Sequence, residues 1–508
     1  MVTDRTADVI VVGNGAIGLS VAIEAARRAP GLRITVVGPP ARNDAASSVA
    51  GAMLGCFGEV TTAVGHHPAT TAEFDVMREA LDLWPAWLDE LTELAGPAAD
   101  ALRASLTTGT FVVLGADAGP VATENFKAMH AAAMAHGEPH ELLEDPSRIE
   151  GLRPAPEARA VQALHLRRET AVDARSLLTA LETAAKNLNV RVVPGVVRRV
   201  VAEGARVRGV DLTDGSRHTA ETVVLAAGSG STELATGLLP PGAVPPLLFS
   251  SGLALMTDRA PVGGERPVLR TPPAPVGTPG THVVPFPGAG GAYIGATDTV
   301  TCRPHAGPVL GTGQALMGLA CAQLDQSLTS SVMRSWLYGI RSIALDRMPL
   351  VGGCGLTGLL FATGAYRSGL HASPVIARHL AGLLTDSAPA PDERFAWFAP
   401  ERAPLATTTV EDSVEEAVLH AVDSTRTLRR APLSPDEEAD LAGRVRQRVL
   451  WLYDQLDEPY ALSPEMIHAY GQASPQDVER LRDHLRAARL HHGLPATTAD
   501  AAIRSTLP

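Results

Sequence analysis

The stretch Asp8-Val9-Ile10-Val11-Val12-Gly13-Asn14-Gly15-Ala16-Ile17-Gly18, followed by Leu19 to Arg28, decides the fold. A short apolar run enters a glycine-spaced turn, and the turn opens a run that reads as helix. This is the strand–turn–helix context that a dinucleotide fingerprint needs. Gly13 permits the tight turn, Gly15 lets backbone approach a pyrophosphate, and Gly18 lets helix and strand pack closely. The helix N-terminus then faces the anionic phosphates. The same pattern can form a tight turn that binds nothing, so fold and site need separate arguments.

Working outward, Leu32 to Val37 reads as a second parallel strand. An acid that bonds the adenosine ribose is expected about 20 positions beyond the fingerprint. Gly38-Pro39-Pro40 stands there instead, which leaves Arg42, Asn43 or Asp44 to compensate. Small residues dominate from Ala45 to Gly55, so backbone can lie close to a flat ligand. Residues 70–104 read as helical, with Phe74, Met77, Leu81, Trp84 and Leu88 on a core face. A strand is expected at 110–114 and a helix from Asp173, followed by strands at 190–193, 196–201 and 207–212.

Two more strand ends carry glycine. One is Val223-Val224-Leu225-Ala226-Ala227-Gly228, and the other is Leu359-Leu360-Phe361-Ala362-Thr363-Gly364, which leads into a helix. Three such ends, far apart in the chain, imply one nucleotide-binding domain built from separate segments around a single extended ligand. Residues 271–280, with four prolines, read as a loop, and 281–285 and 292–295 as paired strands. Residues 385–391 read as a linker or surface turn. After about Pro404 glycine becomes rare, and Ser434-Pro435, Ser463-Pro464 and Ser474-Pro475 each read as a helix start.

Bulk properties narrow the function classes. A chain of 508 residues, 45% hydrophobic and 19% charged, suits a globular protein of several domains. Its net charge of −12 argues against nucleic-acid binding. Cys56, Cys302, Cys321 and Cys354 are too scattered for a disulfide framework or a structural zinc site. No signal-peptide pattern follows Asp4 and Arg5, and the uncharged stretch 350–366 is broken by glycines. Neither a membrane span nor membrane attachment is expected, and the cytoplasm is the default location. His66-His67 reads as a loop or lid near a site rather than a metal pair, since adjacent strand residues point to opposite faces.

The segments GNGAIG (13–18), SSVAGAMLG (47–55), VVLAAGSGST (223–232), THVVPFPGAGGAYIGAT (281–297), WLYGIRSIALDRMPLVG (336–352) and LLFATGAYRSGLHASP (359–374) together resemble the D-amino acid oxidase family of FAD-dependent oxidoreductases, most closely its glycine oxidases. The resemblance spans about residues 8–404, in family order and spacing. It implies an α/β fold with an FAD-binding Rossmann-like domain on a parallel sheet (about 1–70, 165–235 and 335–404). An interleaved α+β substrate domain on a mostly antiparallel sheet is implied at about 71–164 and 236–334. Residues 405–508 remain as a C-terminal helical appendage outside the resemblance.

The resemblance further implies non-covalent FAD, since residues 336–349 hold no cysteine for attachment. Gly13, Gly15, Ala16, Ile17 and Gly18 would face the pyrophosphate. Ser47, Ser48, Ala52 and Met53 would lie by the ribityl chain and flavin, and Val197 by the adenine. Ala227 and Gly228 would close over the cofactor, while Gly364, Arg367, Ser368, Gly369 and Leu370 would meet the flavin edge. The implied reaction oxidises an amine bearing an α-carboxylate by hydride transfer to flavin N5. The imine is then hydrolysed with C–N cleavage, and O2 or another acceptor takes the electrons.

Arg341 takes the family's carboxylate-clamp position, a task suited to a planar guanidinium fork, and Arg367 matches a second supporting arginine. A structural ion pair is the alternative for each. His282 replaces a family tyrosine, which would place an imidazole titrating near neutral pH in the pocket; a solvated strand histidine is the alternative. The substrates in view are glycine, an N-substituted glycine, a D-amino acid, or a specialised secondary or hydrazine-linked amine. The competing readings are an FAD-dependent amine dehydrogenase in a biosynthetic pathway, an NAD(P)-dependent dehydrogenase, and a docking protein with a relic cofactor site. The tail is the expected surface for a second copy or a pathway partner, or a cover for the pocket.

Overall fold

A computed structural model describes residues 5–258, 266–278, 280–286, 291–385, 392–429 and 432–494. Its centre is a six-stranded sheet in the order Leu350–Gly353, Leu359–Thr363, Thr222–Leu225, Val9–Val12, Ile34–Gly38, Arg191–Pro194. All neighbours are parallel except the first pair. Val9–Val12 and Ile34–Gly38 are buried along their whole length, which is why they read as continuous apolar runs. The three glycine-ended strands are immediate neighbours, so their C-terminal ends lie side by side along one edge of the sheet. Helix Ala16–Arg28 packs against helix Gly369–Leu384, where a Cβ on Gly369 would sit 3.3 Å from Ile17 Cδ1.

Glycine at two positions is a steric requirement. Gly13 has φ +119°, and a Cβ there would strike the carbonyl of Ala226. A Cβ on Gly18 would strike the carbonyl of Gly13.

The second large sheet is mostly antiparallel: Thr299–Thr301, Leu247–Thr257, Gly291–Gly295, His282–Phe286, Val268–Arg270, Thr110–Gly115, Ala160–Leu166, His140–Leu143. Met333–Ala344 pairs along Leu247–Thr257, from Thr257 opposite Met333 to Leu247 opposite Ala344. Only residues 335–344 of the segment expected in the cofactor domain thus belong to the antiparallel sheet; Leu350–Gly353 and Leu359–Thr363, further along it, lie in the central sheet. Strand Met333–Ala344 reaches back to the cofactor side where Ile340 N donates to Asp44 O at 3.0 Å. Helix Pro68–Ala95 buries Phe74, Met77, Leu81 and Trp84, and helix Ala174–Asn187 is capped by Asp173, as their patterns predict.

Beyond 404 lie helices Val410–Arg429, Pro435–Leu456, Pro464–Gly471 and Pro475–His491. Ser434 closes a capping box with Glu437, and Ser474 accepts from Asp477 N. Ser463 takes the N-cap position without a side-chain cap bond. These are the expected C-terminal helices, and they pack closely onto the core. Val414, Leu452, Leu462, Met466 and Ile467 share one buried cluster with Leu248, Val300, Ile343 and Leu345 of the core. Residues 386–391, most of the expected linker, lie outside the described residues. No helix among the described residues is long and apolar enough to cross a membrane.

Candidate active site

The three strand ends meet at a partly exposed edge of the sheet, the candidate cofactor groove. Gly13, Gly15, Ile17, residues 45–50, 226–230 and 368–370 are partly exposed, while the strands beneath them are buried. Ala16 N, at the start of its helix, donates to Ser47 Oγ at 3.1 Å, and the first turn carries no acid. A helix N-terminus with no acid in its first turn fits a pyrophosphate. Thr363 Oγ1 donates to Gly228 O at 2.9 Å, tying two strand ends together beside Ala227 and Gly364. Ala52 has φ +45° and receives Val172 N on its carbonyl, and Met53 pairs with Ala171. Ser48 is turned inward, donating to the carbonyls of Arg42 and Ala45. Val197 is buried in the cluster of Val37 and Leu212. These residues fit FAD as a group.

The missing ribose acid has a steric cause. A Cβ on Gly38 would fall on the side chain of Asn14, whose Nδ2 donates to Pro39 O at 3.0 Å. Of the compensating candidates, Arg42 is engaged with Asn14 O at 3.0 Å and pairs with Glu182.

Beside the groove lies a cavity lined by Ala52, Met53, His282, Tyr293, Arg341 and Arg367, among others. Register places Arg341 opposite Ser250. Its Nη1 donates to Ser250 Oγ at 3.3 Å and to Thr297 O at 3.4 Å, and lies 3.9 Å from Asp298. Gly252 makes room beneath the guanidinium, since a Cβ there would come within 2.6 Å of Nη2. Arg367 pairs with Glu59 and stands 3.8 Å from Asp298. Glu59 also binds Arg270 at 2.6 Å. Two carboxylates thus link three arginines, and Arg341 is the one with the weakest internal pairing.

These contacts set the protonation states. Burial pushes Glu59 up, but Arg270 and Arg367 outweigh it and hold the carboxyl well below the usual range. Glu169 accepts from Cys56 N at 2.8 Å and from Gly58 N at 3.2 Å, yet burial pushes its pKa up to about 7. Burial, aided by the Arg270 charge, pushes His282 down to about 3. His282 is therefore a neutral ring stacked on Tyr293, with centroids 5.6 Å apart. This corrects the expectation of an imidazole titrating near neutrality: the ring is enclosed beside cationic side chains. Burial and Asp298, to which its hydroxyl donates, keep Tyr366 protonated.

Arg270, Glu59, Asp298, Glu169 and Tyr366 escaped the sequence reading. Arg270 ends a strand, Glu59 ends the short 3-10 helix Phe57–Glu59, and the others lie in turns or loops, so only the approach of distant segments brings them together. Tyr366 stood inside one recognised motif and Asp298 directly after another, which was the available signal. His67 caps helix Pro68–Ala95, with Nδ1 accepting from Ala69 N at 3.1 Å. Among the described residues no group of three or more His, Cys, Asp or Glu could hold a metal ion.

Comparison with known proteins agrees with this architecture. The family described as FAD dependent oxidoreductase matches residues 8–383. The bifunctional protein ThiO/ThiG of Synechocystis sp. is 25% identical over 401 residues, covering 78% of this chain and 54% of the relative. The chain thus spans about half the length of the curated relatives it matches. Glycine oxidase from Geobacillus kaustophilus aligns with TM-score 0.63 and 23% identity, over 78% of this chain and 99% of that one. Iminodiacetate oxidase from Chelativorans sp. BNC1 aligns with TM-score 0.62 and 18% identity, over 78% and 100%. Both of these are likenesses of fold.

Proposed function

From the premise that the chain belongs to the FAD-dependent oxidoreductase family, we propose that it oxidises an amine bearing an α-carboxylate, with Arg341 as the carboxylate clamp. The carrying observation is the placement of Arg341 beside the cofactor groove with its charge only loosely matched, by Asp298 at 3.9 Å. A substrate carboxylate completes that pairing. When bound non-covalently, FAD supplies the acceptor for the hydride leaving Cα.

The chain's own residues do the rest. Arg341 fixes the carboxylate and so orients Cα. Arg367, committed to Glu59, shapes the entrance rather than competing for the same carboxylate. Neutral His282 and protonated Tyr366 line the pocket without adding charge beside the amine, which must lose its proton before oxidation. Hydrolysis of the resulting imine then cleaves the C–N bond.

Two of the structural neighbours are named for oxidising glycine and iminodiacetate, both α-carboxylated amines, which supports this substrate class. The test is anaerobic mixing of the flavin-loaded protein with glycine, N-substituted glycines and D-amino acids. Bleaching of the flavin by members of this set is expected, and a set that leaves it oxidised throughout defeats the reading. Peroxide release on aerobic turnover separates an oxidase from a dehydrogenase that passes electrons elsewhere.

A further inference from the structure

Two cavities meet at Arg367. The inner one, of about 180 Å³, contains Arg341, His282 and Tyr293. The outer one, of about 380 Å³, is walled by Arg347 of the core and by Glu416, His420 and Glu465 of the C-terminal helices. Glu59, Tyr366, Arg367 and Glu465 line both. The larger part of the space thus lies beyond the clamp, on the side of the tail. A bare amino acid needs only the inner part.

The roof of the inner cavity is the proline-rich loop 271–278. Proline stiffens this loop but removes amide donors, so its few remaining fastenings matter. Asn125 Nδ2 donates to Pro273 O at 3.1 Å from the core side. From the tail side, Val276 N donates to His420 Nδ1 at 3.0 Å. Gly277 is wedged against the same helices: a Cβ there would lie 3.4 Å from Ser424 Oγ and 3.7 Å from the His468 ring. The tail contributes a charged wall as well. Glu465, in the first turn of helix Pro464–Gly471, pairs with Arg347 at 3.4 Å across the boundary with the core.

We propose that the C-terminal helices are part of the substrate site: His420 positions the roof loop, Glu465 and Arg347 wall the outer cavity, and the accepted amine carries a polar substituent that extends from the inner cavity to the tail. The inference rests on the α-carboxylated amine reading above. His420 is a positioning residue, since it acts through the loop. Its Nδ1 must be unprotonated to accept from Val276, and burial, which pushes its pKa down, favours that form.

The experiment is flavin reduction in the full-length holoprotein, followed anaerobically for bleaching and with an added dye acceptor for steady-state kcat and KM. The probes are glycine, N-methylglycine, and glycines whose nitrogen carries polar arms of increasing length. At least a tenfold gain in kcat/KM from N-methylglycine to the longer polar arms is expected. His420→Ala should raise KM for the best probe about tenfold or more, with a smaller change in kcat and with flavin content retained. His420→Asn, whose side-chain carbonyl also accepts, should recover most of the loss. Glu465→Gln should shrink the preference for long arms over N-methylglycine.

If His420→Ala does not fold, His420→Asn and Glu465→Gln still test the claim through KM and the length preference. Equal efficiency for glycine and the long arms overturns this inference while leaving the amine reading standing. An unchanged KM in folded His420→Ala also overturns it. A flavin that no probe bleaches removes both.

Discussion

At the scale of single residues, the site is a charge balance that substrate completes. Arg341→Ala removes the clamp and should raise KM and lower kcat, a loss on the order of 2–5 kcal/mol in kcat/KM. Arg341→Lys keeps the charge but not the fork, so it should recover only part of that. An Arg341→Ala protein with unaltered kinetics would remove the assignment. Buried Glu169 and half-buried His282 should mark the pH dependence of stability in opposite directions. Glu169 has a folded pKa of about 7 against an ordinary 4.5. The native state therefore holds this proton more tightly, and stability falls as pH rises between those values. His282 lies at about 3 against 6.5, so the unfolded chain binds its proton more tightly, and stability rises with pH across that window. Between about pH 4.5 and 6.5 the two slopes oppose each other. Melting temperatures of Glu169→Gln should climb more steeply with pH than those of the parent, and those of His282→Gln less steeply. The reverse ordering would contradict the burial of both groups.

At the scale of elements, the strand–turn–helix junction was legible because its cause is local. Gly13 and Gly18 are demanded by backbone contacts within a few residues, or with the adjacent strand end at Ala226. Gly18→Ala must push helix Ala16–Arg28 away from the turn that faces the pyrophosphate. The purified variant should carry markedly less FAD per chain while keeping its secondary structure by circular dichroism. A full complement of flavin would show that the helix can shift at no cost to binding. The alternating strands and the Ser-Pro helix starts were legible for the same reason of short range. The Arg270–Glu59–Arg367–Asp298 chain was not. Charged residues on strands and turns look alike in sequence, and their pairing is set by how two sheets approach each other. His282 shows the same limit from the other side: its position was read from a motif, but its protonation depends on enclosure that no local pattern encodes.

At the scale of the whole molecule, the deciding question is whether residues beyond 404 are an accessory or part of the fold. Sequence character separated them correctly as helical, but a change in composition marks a change in architecture, not independence. Leu248, Val300, Ile343 and Leu345 of the core are covered by tail side chains. Uncovering four such side chains forfeits about 1.5–3 kcal/mol each, or about 6–12 kcal/mol together. That is comparable to the roughly 5–15 kcal/mol that holds a typical domain folded. The tail also caps helix Pro120–Ala135, where the buried Asp423 Oδ2 accepts from Val121 N at 2.9 Å. A further polar tie joins Arg303 to Asp477 at 3.2 Å. Deleting residues 405–508 should therefore give a chain that aggregates, or that melts far below the parent and loses turnover. An independent docking module would behave differently, leaving a soluble, flavin-loaded core with full kcat. The two outcomes separate on a single purification followed by a melting curve, and the buried apolar face predicts the first.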